Sequence, residues 1–433
     1  MSSSIANHNQ DFGPKLSPDP SWTGPLNVKR STTNVISLII FMLCFICWIV
    51  VPLSSKKKKK KKNKLPYHCL EKLIVLGMLV FSALLSTLYI CLMRIAPMKV
   101  IYASIGLLFV SLAFGIGLYA YKLAVQGYWK WDHWLPLVGL CSFLPAPASA
   151  LTSYAIDRYK LASQIIPEFA KVALFFPSLY LYAILIFALC CCVFIGAYAA
   201  VLSTTVFTSW FALTWLWVAP IYVIWLCCTL VASFNVTVAG AYATWYWTTD
   251  KRQVPYFTVG RFIWIALRYH LGSAAIGGVV LPVCYLIRFC SGGRVAALGD
   301  YLAFEQMALH GRPLLESARM AHNLWHRNYE RSEEIAENVK NSTLIIWLSV
   351  CFASPFLVHR GVLLALSWDK MSFLFYFIPF IFNGLLAFIM FQLINIACDT
   401  VLLCVHEDHE VNGKNARNMS DKLKQLIFET ERK

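Results

Sequence analysis

Charge is what this chain has least of. Of its 433 residues only 14% are Asp, Glu, Lys or Arg, against about a quarter in an ordinary soluble domain. That shortage excludes a water-soluble globular protein, and 58% apolar residues exclude a disordered chain, a collagen and a small disulfide scaffold. Acid is the scarcer sign: 22 Asp plus Glu face 38 Lys plus Arg, a net charge of +16. Local catalytic signatures are missing as well. There is no glycine-rich nucleotide loop and no nucleophile elbow, so an enzyme is the weaker class, its remaining form a membrane-embedded lipid enzyme with buried histidines. No motif implies a cofactor.

Aqueous cysteine pairs are also lacking. Most of the 15 cysteines, Cys44, Cys47, Cys190, Cys227, Cys228 and Cys398 among them, fall inside apolar runs, where cysteine acts as a small hydrophobe. The string His406-Glu-Asp-His409-Glu410 places His and acid side chains on one helix face. It lacks the His-Glu-x-x-His spacing of a zinc site, and a solvated helix end is expected there rather than a metal.

What the chain does have is long apolar runs. A bilayer core takes about 20 residues of helix, and such runs lie at 35–53, 73–93, 100–124, 135–156, 173–202, 207–247, 269–289, 344–366 and 373–405. The fold class is therefore all-α: a polytopic helical membrane protein of about nine or ten spans, ten if the uncharged 207–247 run divides. Residues 1–33 read as a polar cytoplasmic tail too long to precede a cleaved signal, 34–54 as the first span and 55–69 as a lysine-rich loop. Residues 70–405 form the transmembrane core and 406–433 a cytoplasmic tail. Residues 157–172 are too polar to span and read as an interfacial amphipathic helix. Prolines inside runs (Pro177, Pro220, Pro282, Pro355, Pro379) are expected to act as kinks, hinges or site-forming breaks.

Polar groups inside these spans are the functional candidates, because a central charge costs roughly 2.5–3.5 kcal/mol to insert. Gln392, Asn395 and Asp399 share one face of the last span, either as interhelical glue or as the wall of a pathway. Glu168, on the amphipathic segment, and His270, at a span entrance, are candidates with Asp399 for proton coupling. Mid-span Tyr222 and Trp225, with Tyr242, offer π faces to an organic cation; a packed aromatic core would look the same.

Three blocks resemble the choline transporter-like proteins. The first is AGAYATWYW from Ala239 to Trp247, followed by LRYHLGS from Leu267 to Ser273. The second is MALHGRPLLESARMAHNLWHRN from Met307 to Asn328. The third is DTVLLCVHEDHEVNG, which begins at Asp399. A weaker likeness covers 157–203. The resemblance implies about ten spans with both termini cytoplasmic, and sodium-independent transport of choline or ethanolamine-like cations, exchanged for protons, most naturally at the plasma membrane. Asp399 and Asn395 would then join Tyr222, Trp225 and Tyr242 in holding the cation. The competing reading is a non-transporting membrane scaffold that keeps the fold.

Four departures stand beside the likeness. The large domain between spans one and two is reduced to a short loop, and the loop before AGAYATWYW to a few residues. Residues 288–311 are too short and polar for the family's eighth span. His406 and His409 replace apolar positions. A chain of nine spans puts its termini on opposite faces, unless 207–247 crosses twice or 269–289 is re-entrant. Seven consecutive lysines from Lys56 and Lys64 sit beside a span end; the positive-inside rule would keep them cytoplasmic, against anionic lipid headgroups, where the family layout puts them outside. No nucleic-acid partner is implied.

Overall fold

The computed structural model describes residues 24–54, 67–126, 138–139, 141–142, 144–150, 153–204, 210–290, 302–366 and 373–413, with residues 16, 22, 418, 420–425 and 427. Among them there are helices and no strand. The lysine run, part of the expected 135–156 span and residues 291–301 lie outside the described residues.

Among the described residues the α-helices are, in chain order, α1 (Val35–Ser54), α2 (Tyr67–Ile95), α3 (Pro97–Gln126), α4 (Pro145–Ala150), α5 (Ser153–Phe175), α6 (Pro177–Thr204) and α7 (Trp210–Trp247). Then come α8 (Thr258–Tyr269), α9 (Leu271–Cys290), α10 (Leu302–His310), α11 (Leu314–Arg327), α12 (Tyr329–Leu366), α13 (Phe373–Asn412) and α14 (Asp421–Lys424). Among the described residues five helices are long and apolar enough to cross a membrane, or six if the bent pair α8 and α9 is one span. The protein is an integral, multi-pass membrane protein. α1 adds a 20-residue apolar helix whose Ile36, Ile39, Leu43 and Ile46 are exposed, as lipid-facing residues are.

The helices form two units. One comprises residues 1–61, 176–332 and 396–433, the other 62–175 and 333–395. In the first unit α7 is central and α6, α8, α9 and α10 pack on it, while α1 packs on α9 and α6. From Ala232 to Thr244 every residue of α7 is buried, as a helix apolar on all sides must be. α9 lies close because Gly278 has no side chain: a Cβ there would stand 2.9 Å from the Thr229 backbone nitrogen. In the second unit α2 and α3 form a hairpin and α5 lies across both. There α12 joins α13 through the Trp347 indole N–H, which donates to the Gly384 carbonyl at 2.8 Å.

Two expectations are decided by these elements. The 207–247 run is one continuous helix, Trp210–Trp247, through Pro220. Of the prolines inside the runs, Pro177 stands at a break between helices and others do not. Pro177 is the first residue of α6, where its missing N–H costs nothing, and Pro220 and Pro282 lie within unbroken helices. Among the described residues α8 and α9 form a bent pair that meets at His270 at 78°.

Candidate cation site

Four aromatic rings meet between α1 and α7 in the first unit. Trp225 receives Phe41 edge-on at 5.5 Å and Tyr222 at 5.7 Å between centroids, with interplanar angles of 78° and 90°. Phe41 and Trp48 lie 6.5 and 6.4 Å from Tyr222. These are the offset and edge-to-face distances that ring quadrupoles favour. Two of the rings are held from outside the box. The Trp225 indole N–H donates to the Ala275 carbonyl on α9 at 2.8 Å. Trp48 lies on the bare backbone of α6, where a Cβ at Gly196 would stand 2.6 Å from its ring. Tyr222 is 7% exposed, and its hydroxyl has no hydrogen-bond partner among the described residues. A buried donor left so costs about 1–3 kcal/mol.

The break between α8 and α9 forms a second polar centre, filled by the chain preceding α1. Arg30 donates through Nη2 to the carbonyls of Ala308 (2.6 Å) and Pro25 (3.0 Å), and through Nη1 to Met307 (3.3 Å) and to Nε2 of His270 (3.0 Å). Burial pulls this guanidinium down to about 10, still charged at neutral pH. A guanidinium has only donors, so Nε2 accepts and the ring is the neutral tautomer carrying its proton on Nδ1. That proton faces the Thr33 hydroxyl at 3.3 Å. Thr33 in turn donates to the Tyr269 carbonyl (2.9 Å) and accepts from Ser273 (2.7 Å).

The third centre is the end of α13. The expectation of a solvated helix end at His406–Glu410 is corrected: His406, Glu407 and Asp408 are buried. The helix runs on to Asn412 and neighbours take each acid separately. His310 of α10 pairs with Glu407, and the Tyr246 hydroxyl of α7 donates to Asp408 at 3.0 Å. Arg327 of α11 forks onto both oxygens of Glu410 at 2.8 and 2.9 Å. The Leu16 backbone N–H reaches Glu410 at 3.0 Å, and Trp22 packs on Trp247 at 4.8 Å. His406 meets the Trp325 ring edge-on. Among the described residues no group of three His, Cys, Asp or Glu is placed to hold a metal ion.

Of the residues singled out from sequence, Tyr222 and Trp225 come together. Tyr242 is wholly buried, its ring 6.3 Å from Phe176. It lies 20 residues further along the same helix as Tyr222, about 30 Å away at 1.5 Å per residue, so the two cannot grip one small cation. Asp399 is 4% exposed on α13. Asn395 accepts the Thr343 hydroxyl of α12 at 2.7 Å, a helix-to-helix bond in the second unit. Glu168 is partly buried on α5, and His270 is held in the break as described. Sequence reasoning missed Phe41 and Trp48, about 180 positions from their partners in a helix that reads as a plain anchor. It also missed Arg30, for which no signal exists in the sequence.

Comparison with known proteins points to one family. A family model described as plasma-membrane choline transporter matches residues 148–293 and 298–410. Choline transporter-like protein 2 of Dictyostelium discoideum is 28% identical over 321 residues, covering 63% of this chain and 50% of that protein. Choline transporter-like 2 of Anopheles gambiae is 26% identical over 47% of this chain and 30% of its own length. The human choline transporter-like protein 2 is 27% identical over 48% and 35% respectively. The chain thus spans half or less of the length of these relatives. The matched segments contain α7 to α11 and nearly all of α13, and with them His270, Tyr222, Trp225 and Asp399: the chain belongs to the choline transporter-like family.

Proposed function

We propose that the protein carries choline or a related hydroxylated organic cation across the plasma membrane, independently of sodium and in exchange for protons. The observation that carries this reading is the cluster of Phe41, Trp48, Tyr222 and Trp225, in which the Tyr222 hydroxyl has no hydrogen-bond partner among the described residues. A quaternary ammonium cannot donate a hydrogen bond and is held by π faces, each worth about 0.5–2 kcal/mol once desolvated. The alcohol of choline would give the Tyr222 hydroxyl the partner it lacks. Asp399 serves as the buried carboxylate that exchanges cation for proton. Tyr242, 20 residues along α7 from Tyr222, lines a later station of the path.

The test is uptake of radiolabelled choline into proteoliposomes without sodium, driven by a proton gradient. The intact protein is expected to accumulate choline above empty liposomes. Trp225→Ala should raise KM about tenfold or more by removing the central ring, and Asp399→Asn should abolish exchange. Uptake no faster than in empty liposomes sinks the proposal.

A second reading rests on the same rings. Edge-to-face contacts at 5.5 and 5.7 Å leave the box closed, as a scaffold that keeps the fold without transport would have it. The absence of any choline-dependent thermal shift would favour that reading.

A further inference from the structure

α8 exposes an unusual stripe. Its buried side is Thr258, Val259, Phe262 and Ala266, turned to the first unit. The other side is not polar in the ordinary way. Phe257, just ahead of the helix, is 79% exposed, Trp264 59% and Leu267 49%, and Tyr256 is fully exposed. At helical spacing among them stand Arg261 and Arg268, both exposed, with Arg252 exposed in the turn that leads in. The Arg268 guanidinium lies over the Trp264 ring at 5.6 Å and the Tyr269 ring at 5.5 Å.

Bulky apolar rings and arginines sharing one exposed face suit neither water nor hydrocarbon. They suit the boundary, where aromatic rings sit at headgroup depth and arginine stems reach up to phosphate. The bend supplies the orientation. If α9 crosses the bilayer, a helix set at 78° to it runs almost in the membrane plane. Charge supplies the lipid class. α8 carries no acid, Asp250 is turned to the Arg252 N–H and the Gln253 amide, and Lys251 is spent on the carbonyls that end α7. The arginines therefore face outward without a local counter-charge on their own element.

From this we propose that α8 is an in-plane interfacial helix whose Phe257–Arg268 face binds the phosphate headgroups of anionic phospholipid. This site is separate from the aromatic box and does not depend on the protein being a transporter.

The experiment uses the full chain reconstituted in phosphatidylcholine bilayers and reads selectivity for spin-labelled phosphatidylserine over spin-labelled phosphatidylcholine. The intact protein is expected to prefer phosphatidylserine. At about 1 kcal/mol per arginine near an anionic surface, Arg261→Gln should cost about fivefold of that preference at the site. Combining it with Arg252→Gln and Arg268→Gln should remove what α8 contributes. A second readout is quenching of tryptophan fluorescence by lipid brominated near the headgroup end of its acyl chains, of which Trp264→Phe should remove one component. Selectivity unchanged in both arginine variants overturns the proposal, and so does a Trp264→Phe difference that brominated lipid does not quench.

Discussion

A Cβ added at Gly272 would stand 2.6 Å from the Thr33 carbonyl oxygen and 2.5 Å from that of Asn34. Both are backbone atoms and neither can swing away, so this glycine is what lets the chain before α1 lie in the break between α8 and α9. The segment is held by further bonds that a shift would strain: the Thr33 N–H donates to the Tyr269 carbonyl at 2.8 Å, and the Asn34 amide donates to Ser273 at 2.9 Å. Gly272→Ala is therefore expected to destabilise the detergent-solubilised protein by about 1–3 kcal/mol, the usual cost of forcing atoms into a filled site. Gly106, inside α3, has open space where its Cβ would be. There the same change should stabilise by about 0.5–1 kcal/mol through backbone entropy. Thermal unfolding of the two variants reads the contrast, and a shared sign would refute the packing argument. In the sequence the two glycines look alike, because what separates them is a segment 240 positions away.

Elements were more legible than their partners. Apart from 135–156, the apolar runs read as spans became helices because lipid-facing segments must satisfy every backbone group internally, which length and hydropathy register directly. The ends were less legible. α13 carries polar residues to Asn412, and a helix end rich in His and Glu looks solvated unless its partners are known. Arg327 sits on α11, 83 positions from Glu410, and nothing local links them. Their ion pair is buried, with side chains 6% and 3% exposed, so removing one partner strands the other. Either Arg327→Leu or Glu410→Leu should cost about 3–5 kcal/mol, and the double variant much less than the sum. A thermal-unfolding cycle measures that coupling, and simple additivity would mean that the pair contributes nothing of its own. The tyrosine candidates follow the same logic: the mid-span position of Tyr222 and Trp225 was visible, but Phe41 and Trp48, the other half of their box, come from α1.

For the whole molecule, the question that span counting left open is which face each end occupies. Within the first unit, Leu16 is bonded to Glu410 near the end of α13, Trp22 packs on Trp247 at the end of α7, and Thr33 lies in the α8–α9 break. The chain before α1 and the end of α13 are thus on one side, as an even number of crossings requires. From that side α1 runs 20 residues to Ser54, about 30 Å, the thickness of a hydrocarbon core. We expect the lysines that follow in sequence to lie opposite the C-terminal end of α13, against the positive-inside rule, which one local charge cluster does not decide when helices downstream are already fixed by packing. A membrane-impermeant amine reagent applied to sealed cells should modify Lys56 to Lys64 and leave Lys422 and Lys424, beyond α13, unmodified until the membrane is opened. Equal protection of both groups would mean that α1 does not cross, and the side shared by Leu16 and Glu410 would no longer fix the position of the lysines.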